Sequence, residues 1–198
     1  NVQTGTFNAS EIAVEGIFAY ELARNLMGGI TAKFITSYIG NYNSMAVGVD
    51  LGLNWYEPER QWSVSLVAKN LGGQIKAYEE DYGKMPIDVQ VGVSKTFAAL
   101  PVRVSATLVD LTHYDYRFIN HLNLGAEVLL SESIWFGGGY NFRRSDEMTI
   151  GKSDNASAHG AGFSVGAGIN LEQFKLNLAY GKYHAASNSI LVNLAYSF

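Results

Sequence analysis

Cysteine is missing from all 198 residues, and proline occurs only 3 times. Without cysteine there is no disulfide framework and no thiolate metal site. Charged residues make up 16% of the chain, well under the roughly 25% of an average soluble domain. The net charge of −4 leaves no basic excess, so nucleic acid is not an expected partner. No run of apolar residues is long enough for a membrane-crossing helix, which needs about 20. The chain opens Asn-Val-Gln, without initiator Met, basic region or apolar leader. It reads as a chain whose leader has been removed, or as part of a longer one. What is abundant is glycine, at 21, with 12 Tyr and 10 Phe. That mixture suits many strands joined by tight turns.

One pattern recurs along the chain: strict alternation of apolar with small or polar residues, the signature of a strand with one apolar face. In SMAVGVDLGLNWY, Val47, Val49, Leu51, Leu53 and Trp55 oppose Gly48, Asp50, Gly52 and Asn54. In GAGFSVGAGINLE, Phe163, Val165, Ala167 and Ile169 oppose Ser164, Gly166, Gly168 and Asn170. The ending SILVNLAYSF repeats it, with Ile190, Val192, Leu194, Tyr196 and Phe198 on one face. About eleven such segments are present, most near the 9–11 residues that a tilted strand needs to cross a bilayer. The second face decides between two all-β readings. A soluble sandwich shows water a face rich in Lys, Glu and Thr. Here that face is mainly Gly, Ala, Ser and Asn, which fits the crowded lumen of a barrel. The expectation is an antiparallel transmembrane β-barrel forming a single domain over 1–198, with a soluble all-β binding domain as the other reading.

The connections point the same way. Outer-membrane barrels have short periplasmic turns and longer extracellular loops. Counted back from Phe198, every long connection falls at an odd place, including the stretches at 143–159, 112–120 and 70–85. The even ones, LEQ, SES, AALP, EPERQ and RNLMG, are all short. The last strand then runs toward the periplasm, which puts the C-terminus there, in a bacterial outer membrane. About eleven strands back, the N-terminal stretch lies outside the cell. Single-chain bacterial barrels have even strand numbers, so the expectation is the C-terminal part of a larger barrel. Trp55, Trp62 and Trp135 all flank predicted periplasmic turns and are expected to form an interfacial girdle. Tyr196 and Phe198 resemble the C-terminal signal by which such barrels are recognised for insertion.

Catalytic chemistry finds no footing in the residues. The four histidines are scattered without ligand spacing, so no metal site is expected. The glycine runs lie within strands rather than opening a helix, which excludes a dinucleotide loop and any cofactor of that kind. No G-x-S-x-G elbow occurs. Asp50, Asp88 and Glu127, with Lys33, Lys69 and Arg103, fall on the predicted lumen face in mid-strand. Charges buried there need partners, and an interior network that rigidifies the barrel is the expectation.

The segments SYIGNYNSMAVGVDLGLNWY, SLVAKNLGGQIKAY, MPIDVQVGVSKTF and LPVRVSATLVDL resemble, in that order, the PorV/PorQ-type barrels of Bacteroidota. The opening GTFNAS and the closing GFSVGAG and LAYGKYHAASN bring the chain nearer the PorQ type. The resemblance runs over essentially the whole chain, and order and spacing carry it more than any single motif. It implies the fatty-acid-transporter-like class, usually of fourteen strands, so three would lie outside these 198 residues. It also implies a role in type IX secretion without catalytic residues. The expected function is that of a non-enzymatic barrel that docks a surface partner for secretion and attachment of cargo. Loops 72–85, 113–120 and 144–159 would present Tyr78, Tyr82, Tyr114, Tyr116, Arg117, Arg143 and Arg144, residue types enriched at binding hot spots. Its other partner is outer-membrane lipid. The alternative is an outer-membrane transporter of hydrophobic small molecules such as fatty acids, which would need an apolar pocket inside the lumen.

Overall fold

A computed structural model describes residues 8–40, 42–78, 82–148, 160–184 and 187–197, without the side chains of 183, 184 and 187. It contains eleven strands in one antiparallel sheet, whose order follows the sequence from β1 to β11. The strands are β1 (Ala9–Ala23), β2 (Leu26–Ile39), β3 (Tyr42–Glu57), β4 (Trp62–Lys76), β5 (Asp88–Phe97) and β6 (Val102–Leu108). After them come β7 (Leu122–Leu129), β8 (Ile134–Asn141), β9 (Phe163–Asn170), β10 (Phe174–His184) and β11 (Ser187–Tyr196). The all-β barrel class read from the alternation therefore holds. Among the described residues, β1 and β11 stand at the two ends of the order. No helix among the described residues is long and apolar enough to cross a membrane.

The chain divides into two compact units, Asn1–Trp55 with Ser65–Gln90 and Tyr56–Val64 with Val91–Phe198. The first holds β1, β2 and most of β3 and β4; these strands are 15, 14, 16 and 15 residues long, more than the about 9–11 that cross a bilayer. The turns after β1 and β2 are tight because they hold residues that accept left-handed backbone: Asn25 has φ 65° and Gly40 has φ 59°. Asn and Gly are the residues that two-residue hairpins favour. β2 runs to Ile39 and β3 starts at Tyr42, so their connection is much shorter than the YIGNYNS stretch suggests; Tyr38 already pairs with Asn43. β4 likewise continues to Lys76, so the connection that follows is 77–87 and not 70–85.

The second unit holds the other two long connections, 109–121 and 142–162. Each contains a short helical turn that alternation could not reveal. A 3-10 turn spans Phe118–His121, and helix α1 spans Phe142–Glu147. Asn141 starts α1 by accepting a hydrogen bond from the Arg144 amide at 2.7 Å, the usual means of satisfying an orphan donor of the first turn.

The two faces of the strands differ as the sequence requires, but they are inverted relative to a soluble domain. Among the described residues, the buried apolar side chains are only those of Ala77 and Ala161. The large apolar residues lie exposed instead, including Phe18, Phe34, Leu51, Leu66, Phe136, Val165 and Leu194. A monomeric soluble protein rarely leaves so continuous an apolar surface in water. Hydrocarbon is the solvent it fits.

Candidate functional site

In the first unit, the polar face carries one connected network. Glu15, Lys33 and Gly48 are cross-strand partners, as are Thr31 and Asp50. Because Gly48 has no side chain, Lys33 reaches diagonally, and its Nζ lies 2.7 Å from Asp50 Oδ2. The same Nζ donates to Asn70 Oδ1 at 3.2 Å and stands 3.9 Å from Glu15. Asn70 lies within β4 with φ 60°, and its backbone N–H donates to Asp50 Oδ1 at 2.8 Å. Lys69 adds favourable charge near Asp50. Of the predicted lumen charges, the structure thus joins Lys33 and Asp50, with Lys69 near them. It leaves Asp88 with Gln90 and pairs Arg103 with Glu127 across β6 and β7.

The connection after β4 is tied to this same face. Tyr78 Oη bonds Ser37 Oγ at 2.5 Å, and the Gly83 amide donates to Gln74 Oε1 at 2.5 Å. Gln74 in turn donates to Ser44, and Asn70 Nδ2 donates to the Pro86 carbonyl at 2.9 Å. The Met85 methyl fills the gap at Gly48, 3.0 Å from where a Cβ would stand. Tyr78 is therefore a tether, while Tyr82 is exposed.

In the second unit, connection 109–121 is pinned to α1. Asp110, itself left-handed with φ 59°, pairs with Arg143 Nη1 and with His113 Nδ1, each at 2.5 Å. Arg143 lies over the Tyr116 ring, 5.2 Å from its centroid, and Tyr116 meets His121 edge-on. His121 is buried, and its Nδ1 contacts the Val109 carbonyl at 2.8 Å. Burial pushes the Asp110 carboxyl up, but hydrogen bonds and charge from Arg143 and His113 outweigh it and hold its pKa below the usual 3.8. Burial likewise opposes the Arg143 charge, and Asp110 and Glu147 more than restore it. On this braced base stand exposed side chains: Tyr114 is 90% exposed and Phe118 71%. Among the predicted docking residues, Tyr116 and Arg143 belong to the brace. Tyr114 belongs to the surface it presents, and Arg144 supplies the capped amide of α1. Arg117 precedes the 3-10 turn, its carbonyl accepting from the Asn120 amide at 2.8 Å.

The aromatics divide. Trp55 and Trp62 are exposed on the apolar face. Trp135 instead shares the face of Gly137, its ring packed over the bare backbone of Gly166 and Gly168. A Cβ on Gly168 would meet the Trp135 Nε1 at 2.1 Å, so these glycines are the floor on which the ring lies. Parity decides this: Trp135 pairs with Leu129 and Gly168 and alternates with exposed Ile134 and Phe136. Lys95 went unnoticed in the sequence, because a lysine within a strand reads as a polar-face residue. It lies in register with outward Val91, Val93 and Phe97. Its ammonium sits 5.2 Å from the Trp62 ring and bonds the Arg60 carbonyl. This is how a lysine on an apolar face carries its charge to an interface. Tyr196 packs on Phe174 at 4.8 Å; Phe198, His159 and residues 149–158 of the third predicted loop lie outside the described residues.

The family described as "Type IX secretion system membrane protein PorP/SprF" matches residues 7–194. The chain belongs to the PorP/SprF family. The match covers all eleven strands except the tip of β11. It reaches the secretion system that the resemblance implied, through PorP/SprF rather than the PorV/PorQ type. No curated protein matches the chain. In a membrane protein family, an apolar side left exposed on the strands is the side suited to hydrocarbon. An apolar cavity of about 480 Å³ lies on that side of the first unit, between Phe18, Tyr20, Leu51, Leu53 and Leu66. Another, lined by Phe136, Val165, Leu178 and Ile190, lies on the same side of the second unit. Both lie on the opposite face from the lumen pocket that a transporter would use.

Proposed function

We propose that this PorP/SprF-family chain is a non-enzymatic subunit of the outer membrane that docks another component of the type IX apparatus. The docking surface is connection 109–121 seated on α1, and the task it serves is the secretion and surface attachment of cargo. The observation that carries the reading is Tyr114 and Phe118, strongly exposed above the Asp110–Arg143 brace. Large aromatics left in solvent on a rigid base bind at low entropic cost, and such anchors dominate interface energies. Lys33 pairs with Asp50 and Arg103 with Glu127, so these charges of the polar face need no substrate. In this reading, 109–121 faces the cell exterior and the C-terminus faces the periplasm.

The test is affinity isolation of the native protein from outer membranes, beside Tyr114→Ala with Phe118→Ala. The native protein is expected to bring down a type IX component that the double variant loses by about ten-fold or more. Equal recovery by both proteins would overturn the docking surface. Recovery of no such component by the native protein would overturn the function.

A further inference from the structure

Gly28 opens a gap in the apolar face of the first unit. Its cross-strand neighbours Tyr20 and Leu53 lie on that face, as do Phe18, Ile30 and Leu51 one step along the strands. Leu22 folds partly into the gap, 2.6 Å from where a Gly28 Cβ would stand. The cavity of about 480 Å³ around it falls within the about 300–1,000 Å³ of ordinary small-molecule sites. Its walls are almost wholly apolar, so they specify hydrocarbon and no hydrogen-bonding ligand. The face opposite carries Lys33 and Asp50, so the cavity is open to the membrane and not to the polar side.

The depth of the cavity identifies its occupant. Trp55 is exposed on the same face and pairs with Leu26, two residues from Gly28. An exposed Trp favours the interface between headgroups and hydrocarbon. The cavity therefore starts just below that level and continues inward. Arg24, exposed in the turn 24–25, places a cation where lipid phosphates lie. We infer that the cavity retains one acyl chain of a membrane phospholipid, with its headgroup beside the 24–25 turn. Any outward face touches lipid transiently; the groove left by the missing side chain of Gly28, between Phe18, Tyr20, Leu51 and Leu53, holds one chain in a fixed place.

Native mass spectrometry of the full chain, extracted in mild detergent and supplied with palmitoyl-oleoyl phosphatidylethanolamine, tests this. Gly28→Leu fills the gap, and Ala68→Phe fills it from β4. Gly16→Leu lies on the same face of β1, where a Cβ would meet nothing within 4 Å, and serves as the control. Native protein and Gly16→Leu are expected to retain one more lipid than the two filled variants, with occupancy differing about ten-fold. Equal retention by all four overturns the inference, as does loss in Gly28→Leu alone when both filled variants fold. Where Gly28→Leu does not fold, Ala68→Phe decides by the same criterion.

Discussion

Lys33 and Asp50 form the 2.7 Å ion pair at the centre of the first unit, although neither is the other's cross-strand partner. The partner of Lys33 is Gly48 and that of Asp50 is Thr31, so the contact is a diagonal that a glycine leaves open. Their side chains are only 10% and 15% exposed. Four strands contribute to the cluster through Glu15, Lys33, Asp50 and Asn70.

Removing one half of this pair leaves a charge without its main partner. Lys33→Met is expected to cost about 2–3 kcal/mol, somewhat under the about 3–5 of a fully buried pair. Lys33→Met combined with Asp50→Leu is expected to cost less than the sum of the single changes by about 1 kcal/mol or more. Denaturant titration of the protein refolded in lipid vesicles reads all four corners of the cycle. Additive single effects would show that the pair is not coupled.

Two adjacent glycines make a sharper comparison. A Cβ at Gly72 would stand 2.1 Å from the Val47 carbonyl oxygen, whereas one at Gly73 meets nothing within 4 Å. The obstacle at Gly72 is backbone and cannot rotate away. Gly72→Ala is expected to destabilise by about 1–3 kcal/mol, and Gly73→Ala to stay within about 0.5 kcal/mol of the native protein. The same titration checks it, and equal effects would refute the close approach of β4 to β3.

The Asp110 brace has a defined pH window. Its folded pKa lies below 3.8, so its contribution to stability is complete above that value. It is lost as pH falls through the folded pKa. Amide exchange across 109–121, corrected for intrinsic rates, is expected to be steady from pH 7 to about 5 and to accelerate only in strong acid. Asp110→Asn, which tolerates the left-handed backbone, is expected to show the fast exchange already at pH 7. Acceleration near neutrality in the native protein would place the brace on another group.

Much of this was legible in one dimension. Alternation in segments such as Val47 to Trp55 marked the strands, because side chains on a strand change face at every residue. The face opposite, of Gly, Ser and Asn, marked the barrel class. Asp50 and Lys33 were visible as charges on that face. Their pairing was not, since it depends on the register between β2 and β3 and on the absent side chain of Gly48. The lengths of the connections were misjudged at 40–41 and 77–87, where YIGNYNS and NLGGQIKAY look like turn chemistry. Cross-strand hydrogen bonding overrides that local preference.

What the sequence by itself determined is the set of strands, their apolar side and the resulting fit to a membrane, because a period of two is a local property of the chain. Only the tertiary structure decided what each exceptional residue does. It turned Tyr78 inward to Ser37 and laid Trp135 over Gly166 and Gly168. It also sent Lys95 to the Arg60 carbonyl and joined Asp110 to Arg143 across 33 positions. These contacts depend on which strands become neighbours and in what register, and no stretch of sequence contains that information alone.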